Sequence, residues 1–454
     1  MLATPALSAE ILRRYDVQGP RYTSYPTVPE WTSDFDAAAY DLKLREAGAA
    51  GEHSPLSLYV HLPFCAERCT FCGCNVVIAR DRRRVDAYID RLAQEMDLVA
   101  ARLGNRRTVG EIHWGGGTPT FLTEDQLLRL YYEITQRFTV VDDAPCAIEI
   151  DPVITTKAQL GVLRWIGFNR ISMGVQDFSP AVQAAINRKQ TVEETRTLVD
   201  EARRLGFQSV NLDLIYGLPL QTSTSWRNTL ADVLALRPDR LAVYSFAFLP
   251  DLKPHQKKLA ALPMPTGDAK IELFRDAYQA FVEAGYRAIG MDHFALPGDE
   301  LSRAQVERRL RRNFQGYSAS APMDVISFGA SAISDVAGAY AQNVAGLTKY
   351  LSRISDGKLA VERGLIRSPD DQRRRTIIES LMCNFQVDLG ADGSTYFAPE
   401  LDTLHALQRE GLLEIKGNTI ELSAVGRFLV RNVAMVFDRY LRIPRGERRF
   451  SRTI

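Results

Sequence analysis

The sequence predicts an α/β protein: a parallel sheet with helices outside it, wound as a doubly wound sheet or as a complete or partial barrel. Two observations carry that expectation. Six short runs rich in β-branched and aromatic residues alternate with helical patterns between residues 56 and 249. The least ordinary residues fall at the ends of those runs, where parallel α/β folds keep their chemistry. That coincidence favours a barrel mouth.

Taken in order, a polar opening with GPRYTSYPT (19–27) precedes the first run, LSLYVHLP (56–63), which leads into a cysteine loop. VGEIHWGG (109–116) runs into GGGTPT (115–120), and CAIEID (146–151) carries Glu149 near its end. RISMGVQ (170–176) closes on Gln176, SVNLDLIYG (209–217) contains Asp213, and RLAVYSFAFL (240–249) contains Ala247. Helix starts lie between them. Thr123 with Gln126 reads as a capping box, and Ser179-Pro180 as an N-cap followed by proline at the first helical position. From about Ser368 the texture changes to a capped helix, a second helix, a short strand pair around Gly417-Asn418 and a last helix, a small winged-helix-like unit. The expected division is an N-terminal arm over 1–50, a barrel domain over 51–360 and a mainly α C-terminal domain over 361–454.

A chain of 454 residues can bury a large core, and its 46% hydrophobic and 24% charged residues are ordinary for a globular protein. A formal net charge of +1 argues against nucleic-acid binding through bulk positive charge, despite the winged-helix pattern. Arginine clusters locally in RDRRR (80–84), RRLRR (308–312), RRR (373–375) and the tail RGERRFSR. Each reads singly as a solvated helix face; together they would suit a substrate with several carboxylates, which match the guanidinium fork. Charges at Glu10, Arg13 and Arg14 argue against a secretory signal, and no apolar run is long enough to span a membrane. The expectation is a cytoplasmic monomer with reduced thiols.

Four of the six cysteines (Cys65, Cys69, Cys72 and Cys74) crowd into ten residues, leaving only Cys146 and Cys383 elsewhere. Structural zinc usually takes two separated ligand pairs; no second pair exists, and His61 is isolated. A redox pair at Cys69 and Cys72 would leave Cys65 idle. An iron–sulfur cluster uses thiolates crowded in one loop, and three thiolates on a four-iron cluster leave one iron open to a small chelating ligand. The loop itself favours the cluster.

C-x3-C-x2-C with Phe71 before the third cysteine resembles the signature of radical S-adenosylmethionine (SAM) enzymes. The longer string YVHLPFCAERCTFCGCN, with RYTSYPT, HWGGGTPT, MGVQDF, DLIYGLPLQT, MDHFALP and NFQGY, is similar to the oxygen-independent coproporphyrinogen III oxidases, from Arg21 to the closing RRFSRTI. The resemblance implies a partial (β/α)6 barrel. It implies a [4Fe–4S] cluster on Cys65, Cys69 and Cys72, chelated by SAM, which yields a 5′-deoxyadenosyl radical on reduction. Two SAM molecules are implied, one against Tyr59, Gly116, Glu149 and Ile333, the other against Phe71, Gly117, Thr118, Gln176, Arg188, Asp213 and Ala247. Cys74 corresponds to an extra, non-ligating cysteine. Cys74, Glu149, Phe314 and Gln315 are candidates for the reaction itself, and Arg21, Tyr22 and Tyr25 candidates to cover the substrate. The implied partners are coproporphyrinogen III and an electron donor such as a flavodoxin or ferredoxin. Rival readings are a haem chaperone or a haem-degrading methyltransferase built on the same cysteines, and a non-catalytic zinc-binding interaction protein.

Overall fold

The computed structural model describes residues 9–443 and 450–453. Residues 1–8 of the expected arm and residues 445–449 of the tail RGERRFSR lie outside the described residues.

All six expected strands form: β1 (Leu56–Leu62), β2 (Thr108–Gly116), β3 (Cys146–Ile150), β4 (Arg170–Gln176), β5 (Ser209–Tyr216) and β6 (Arg240–Ser245). They pair in parallel, each with its sequence neighbour. Beyond β1 the sheet continues with a parallel strand, Asp324–Phe328, then three antiparallel strands ending at Val361–Ile366. Beyond β6 it continues with His293–Ala295 and Arg287–Gly290, both antiparallel. The ladder is an open path whose ends do not pair among the described residues, hence a partial barrel.

The strands bury one side chain after another, as strands covered on both faces do. Helices supply the outer cover. Arg83–Leu103 buries Val85, Tyr88, Ile89, Leu92, Met96, Val99 and Leu103, a stripe at helical spacing. The capping box at Thr123 and Gln126 is present, with equivalents at Thr156–Gln159 and Thr191–Glu194. Ser179 departs from expectation. Proline does occupy the first helical position, but the Ser179 side chain makes no cap; its backbone N–H instead donates to Asp177 at 2.6 Å. The sixth strand also stops short, at Ser245. Phe246 and Phe248 leave the sheet to pack with Val182, Ile186, Leu218 and Leu259, so Ala247 lies in a loop.

The arm and C-terminal module share a second core, in which Tyr22 and Tyr25 meet Ile377, Leu381, Val430 and Phe437. Helix Ala37–Gly48, within the stretch expected as an arm, instead buries Tyr40, Leu44 and Ala47 in the barrel core. The C-terminal module carries the expected helix Pro369–Asn384, capped by Ser368 and Asp371. Its sheet gains a strand, Gln386–Asp388, beside Thr419–Leu422 and Leu413–Lys416. Among the described residues no helix is long and apolar enough to cross a membrane.

Candidate active site

The cysteine loop leaves the end of β1 and is held on three sides. Against β2, the N–H groups of Gly117 and Thr118 donate to Leu62 and Phe64 carbonyls at 2.8 and 2.9 Å. Toward β4, Thr70 bonds the carbonyls of Ile186 and Ala185. After β6, His255 Nε2 donates to the Cys72 carbonyl at 2.8 Å. Gln256 Nε2 donates to Phe71 and Ala247 carbonyls at 3.0 and 3.2 Å, while its Oε1 accepts from the Leu249 N–H. One buried amide thus ties Phe71 to Ala247.

The glycines of GGGTPT are forced by close approach. Gly116 has φ of 115°, and a Cβ there would run into the His61 ring. A Cβ on Gly117 would sit 2.7 Å from the Pro63 backbone. The turn is therefore a bare backbone ledge under the cysteine loop. Glu149 accepts from the Gly116 N–H at 3.0 Å and faces His113 Nε2 at 3.3 Å.

One cavity is lined by Cys65, Cys69, Phe71, Cys72, Cys74, Gly116, Gly117, Thr118, Glu149, Gln176, Arg188 and Asp213. The structure thus brings together most of the residues the sequence singled out. A second cavity shares Glu149, Ser172 and Asp213 with the first and extends to Glu111, His113, Tyr244, His293 and Gln315. Five candidate residues outside the arm lie beyond the first cavity's lining. Tyr59 sits behind it on β1 and bonds His61 Nδ1 at 3.1 Å. Ile333 pairs with Gln342, and its carbonyl accepts from Ser327. Ala247 is reached only through the Gln256 clamp. Gln315 lines the second cavity. Phe314 lines neither; it packs against Trp31 and Tyr340, with ring centres at 5.7 and 6.1 Å.

Arg188 is a buried hub rather than a solvated helix-end charge. It donates to Asp151 at 3.0 Å, to the Gly174 carbonyl at 2.7 Å and to Gln190 at 2.9 Å, and lies 3.7 Å from Cys69 Sγ. Among the described residues its Nε is buried without a partner, and so is Gln176 Oε1. Gln176 itself has φ of 69° at a break in the β4–β5 register. Two buried orphans on the cavity wall, one donor and one acceptor, suit a polar ligand that supplies both. With three convergent thiols and a glycine ledge, the residues present fit a cluster chelated by a zwitterionic amino acid.

The charges are unequal. Burial raises the Glu149 carboxyl, but the His113 and Gly116 hydrogen bonds outweigh it and bring it below the ordinary range. Burial, then the neighbouring Glu149 charge, pushes Asp213 up to about 7 against the opposing bonds from Asn211 and Ser172. Burial likewise raises the Cys65 thiol to about 11, so an incoming metal must displace its proton. Sequence reasoning missed His113, Asp151 and Gln256. Alternation along β2 puts His113 on the face of Glu111 and was a usable signal; the other two act across long sequence separations and left none.

Arg21 is ion-paired with Asp292 and lies 5.6 Å from the Tyr244 ring centre, while Tyr22 and Tyr25 are buried. The tyrosines of the arm therefore pack rather than line either cavity.

Comparison with known proteins agrees with this geometry. The Radical SAM superfamily pattern matches residues 59–233, and the HemN C-terminal domain pattern matches residues 368–429. The oxygen-independent coproporphyrinogen III oxidase of Pseudomonas aeruginosa is 43% identical, with 100% of each chain covered. That of Escherichia coli is 42% identical, with 98% of each covered. The solved structure of coproporphyrinogen III oxidase (HemN) from Escherichia coli, described as a radical SAM enzyme, superposes with a TM-score of 0.90 at 40% identity, covering 96% of this chain and 100% of that one. With its three-thiol loop facing a glycine ledge inside a partial barrel, this chain belongs to the oxygen-independent coproporphyrinogen III oxidase family of radical SAM enzymes.

Proposed function

We propose that this chain converts two propionates of coproporphyrinogen III to vinyls without oxygen, giving protoporphyrinogen IX for haem and porphyrin synthesis. A propionate becomes a vinyl when its β-carbon loses a hydrogen atom and the resulting substrate radical sheds carbon dioxide and one electron to an acceptor. No side chain offers an electron sink for that loss. When bound, the cluster and SAM supply a reactive carbon radical able to take the hydrogen atom.

Every other requirement falls to the chain. Cys65, Cys69 and Cys72 would hold the cluster as thiolates, leaving one iron for SAM. Gly116 and Gly117 let backbone approach an amino-acid ligand, and Glu149, kept ionised by His113, can accept from an ammonium or ribose hydroxyl. The orphaned Arg188 Nε and Gln176 Oε1 would meet the second SAM beside Thr118, Phe71 and Asp213. Cys74 and Gln315 face the cavities that the substrate would enter, with Glu149 and Asp213 between them. Phe314 would act only indirectly, by seating the Gln315 turn against Trp31. Tyr59, Ile333 and Ala247 would support the ligand from just behind the wall.

The observation that carries this reading is convergence: three thiols, the glycine ledge, Gln176 and Arg188 share one cavity, which adjoins a second cavity across Glu149, Ser172 and Asp213. We further propose a cytoplasmic monomer supplied by a flavodoxin or ferredoxin. The boundary expected near 360 would lie just past Ile366, because Val361–Ile366 pairs with the main sheet. The test is anaerobic turnover. Reconstituted protein with reductant, SAM and coproporphyrinogen III should give a mono-vinyl porphyrinogen first, then protoporphyrinogen IX with carbon dioxide and 5′-deoxyadenosine. Air should stop it. Tight haem binding without vinyl product would favour the haem-chaperone reading instead.

A further inference from the structure

We propose that the solvent face flanking the cysteine loop is the docking surface for a small acidic one-electron carrier protein. The carrier is oxidised by one electron there as the cofactor on Cys65, Cys69 and Cys72 is reduced. The inference rests on the radical reading above and adds where, and from what kind of partner, the electron arrives.

Ala66, Glu67 and Arg68, between the first two thiols, are exposed, and Glu67 and Arg68 form the outer rim of the cavity that Cys65, Cys69 and Cys72 line. Cations gather around that exposed leg from three segments. Arg68 belongs to the loop, and its carbonyl is fastened to Asn187 at 3.0 Å. Lys189 is exposed two residues on from Asn187, next to the Arg188 that touches Cys69. Lys253, Lys257 and Lys258 come from the short helix Pro254–Leu259 and the residue before it. Three residues per turn set His255 and Lys258 on one side of that helix. His255 is bonded to the Cys72 carbonyl, so that side faces the loop.

Five cations thus stand against two carboxylates, Glu67 and Asp251. Exposed Lys349 and Lys416, by contrast, are paired with Glu362 and Glu414. Lys189, Lys257 and Lys258 have no such partner among the described residues. Leu252, 57% exposed, adds an apolar spot beside the cations. A cation-rich rim around a small apolar contact speeds association with an acidic partner and weakens as salt rises. Such brief encounters need only a small interface, below about 1,200 Å².

The experiment titrates the full-length, cluster-loaded chain with a purified flavodoxin and, separately, a ferredoxin, at low and high salt. Binding of either at low salt, lost at high salt, is expected. The triple variant Lys189→Glu, Lys257→Glu, Lys258→Glu should bind at least about tenfold more weakly at low salt. Its thermal melt and its cluster reduction by dithionite should match wild type. Lys416→Glu, in the C-terminal strand Leu413–Lys416, should bind like wild type. Should the triple variant melt lower, the single changes Lys258→Gln and Lys189→Gln each still predict weaker binding. Undiminished binding in the triple variant, salt-independent binding, or no binding of either carrier would overturn the proposal. A wrong substrate assignment would show separately, as missing vinyl product in wild type driven by dithionite alone.

Discussion

Cys69, proposed as a cluster ligand, lies in the field of an arginine. Arg188 approaches its sulfur and holds Asp151, so a thiolate there gains a neighbouring positive charge. Replacing Cys65, Cys69 or Cys72 with serine should abolish the cluster, because a neutral hydroxyl replaces thiolate poorly. Cys74→Ser should retain it; iron, acid-labile sulfide and the charge-transfer absorbance decide the matter. Glu149→Ala should weaken SAM binding by about 1.5–3 kcal/mol, the worth of a hydrogen bond to a charged group, read by equilibrium binding. Asp213 gives a pH signature. Its folded-state proton persists up to about pH 7, while the unfolded chain releases it near the ordinary aspartate value. Its contribution to stability is therefore full below that lower value and is lost as pH rises through about 7. Asp213→Asn should remove this slope. Relative to wild type, the apo variant should gain stability between about pH 5 and pH 8, on the order of 2 kcal/mol. A parallel pair of pH–stability curves would contradict the assignment.

At the scale of elements, the strands were legible because parallel strands buried on both faces read as short apolar runs with sharp ends. The sixth was overread for the same reason: Phe246 and Phe248 continue the apolar pattern but satisfy it in a satellite cluster. Strand Gln386–Asp388 was missed because three residues carry little periodicity and its partner lies at Thr419–Leu422. Ser179 marks the helix boundary as expected, but its side chain makes no capping bond, and its N–H donates to Asp177 instead. In the site, thiols and glycines announced themselves by type and spacing, whereas Gln256 is one of many glutamines until the fold sets it under Phe71 and Ala247. Gln256→Ala should strand three backbone groups and cost about 2 kcal/mol in a denaturant melt. The cysteine loop should loosen with it, and iron should leave faster to a chelator. An unchanged melt and unchanged iron loss would remove Gln256 from the loop's support.

For the whole molecule, the arm and the C-terminal module act together. Tyr22 bonds Asp438, and Arg431 holds the carbonyls of Gly19 and Pro20, so the arm's course depends on the last helices. Trp31 carries that order onward to Phe314, next to the Gln315 that lines the polar cavity. Sequence resemblance marked these segments, but their linkage is tertiary and could not be read from any one of them. Trp31→Ala should therefore raise KM for the porphyrinogen more than it lowers SAM affinity, because it loosens the substrate side and leaves the thiol loop alone. Equal losses in both would show that the arm supports the barrel generally.

On the proposed function, the propionate β-carbon would lose its hydrogen atom to a radical that bound SAM supplies in this cavity. Coproporphyrinogen III deuterated at those β-carbons, turned over anaerobically with SAM and reductant, tests it most directly. Deuterium should appear in the 5′-deoxyadenosine, formed alongside the mono-vinyl and then the di-vinyl product. 5′-Deoxyadenosine free of deuterium, with all four propionates intact on a fully loaded enzyme, would contradict it.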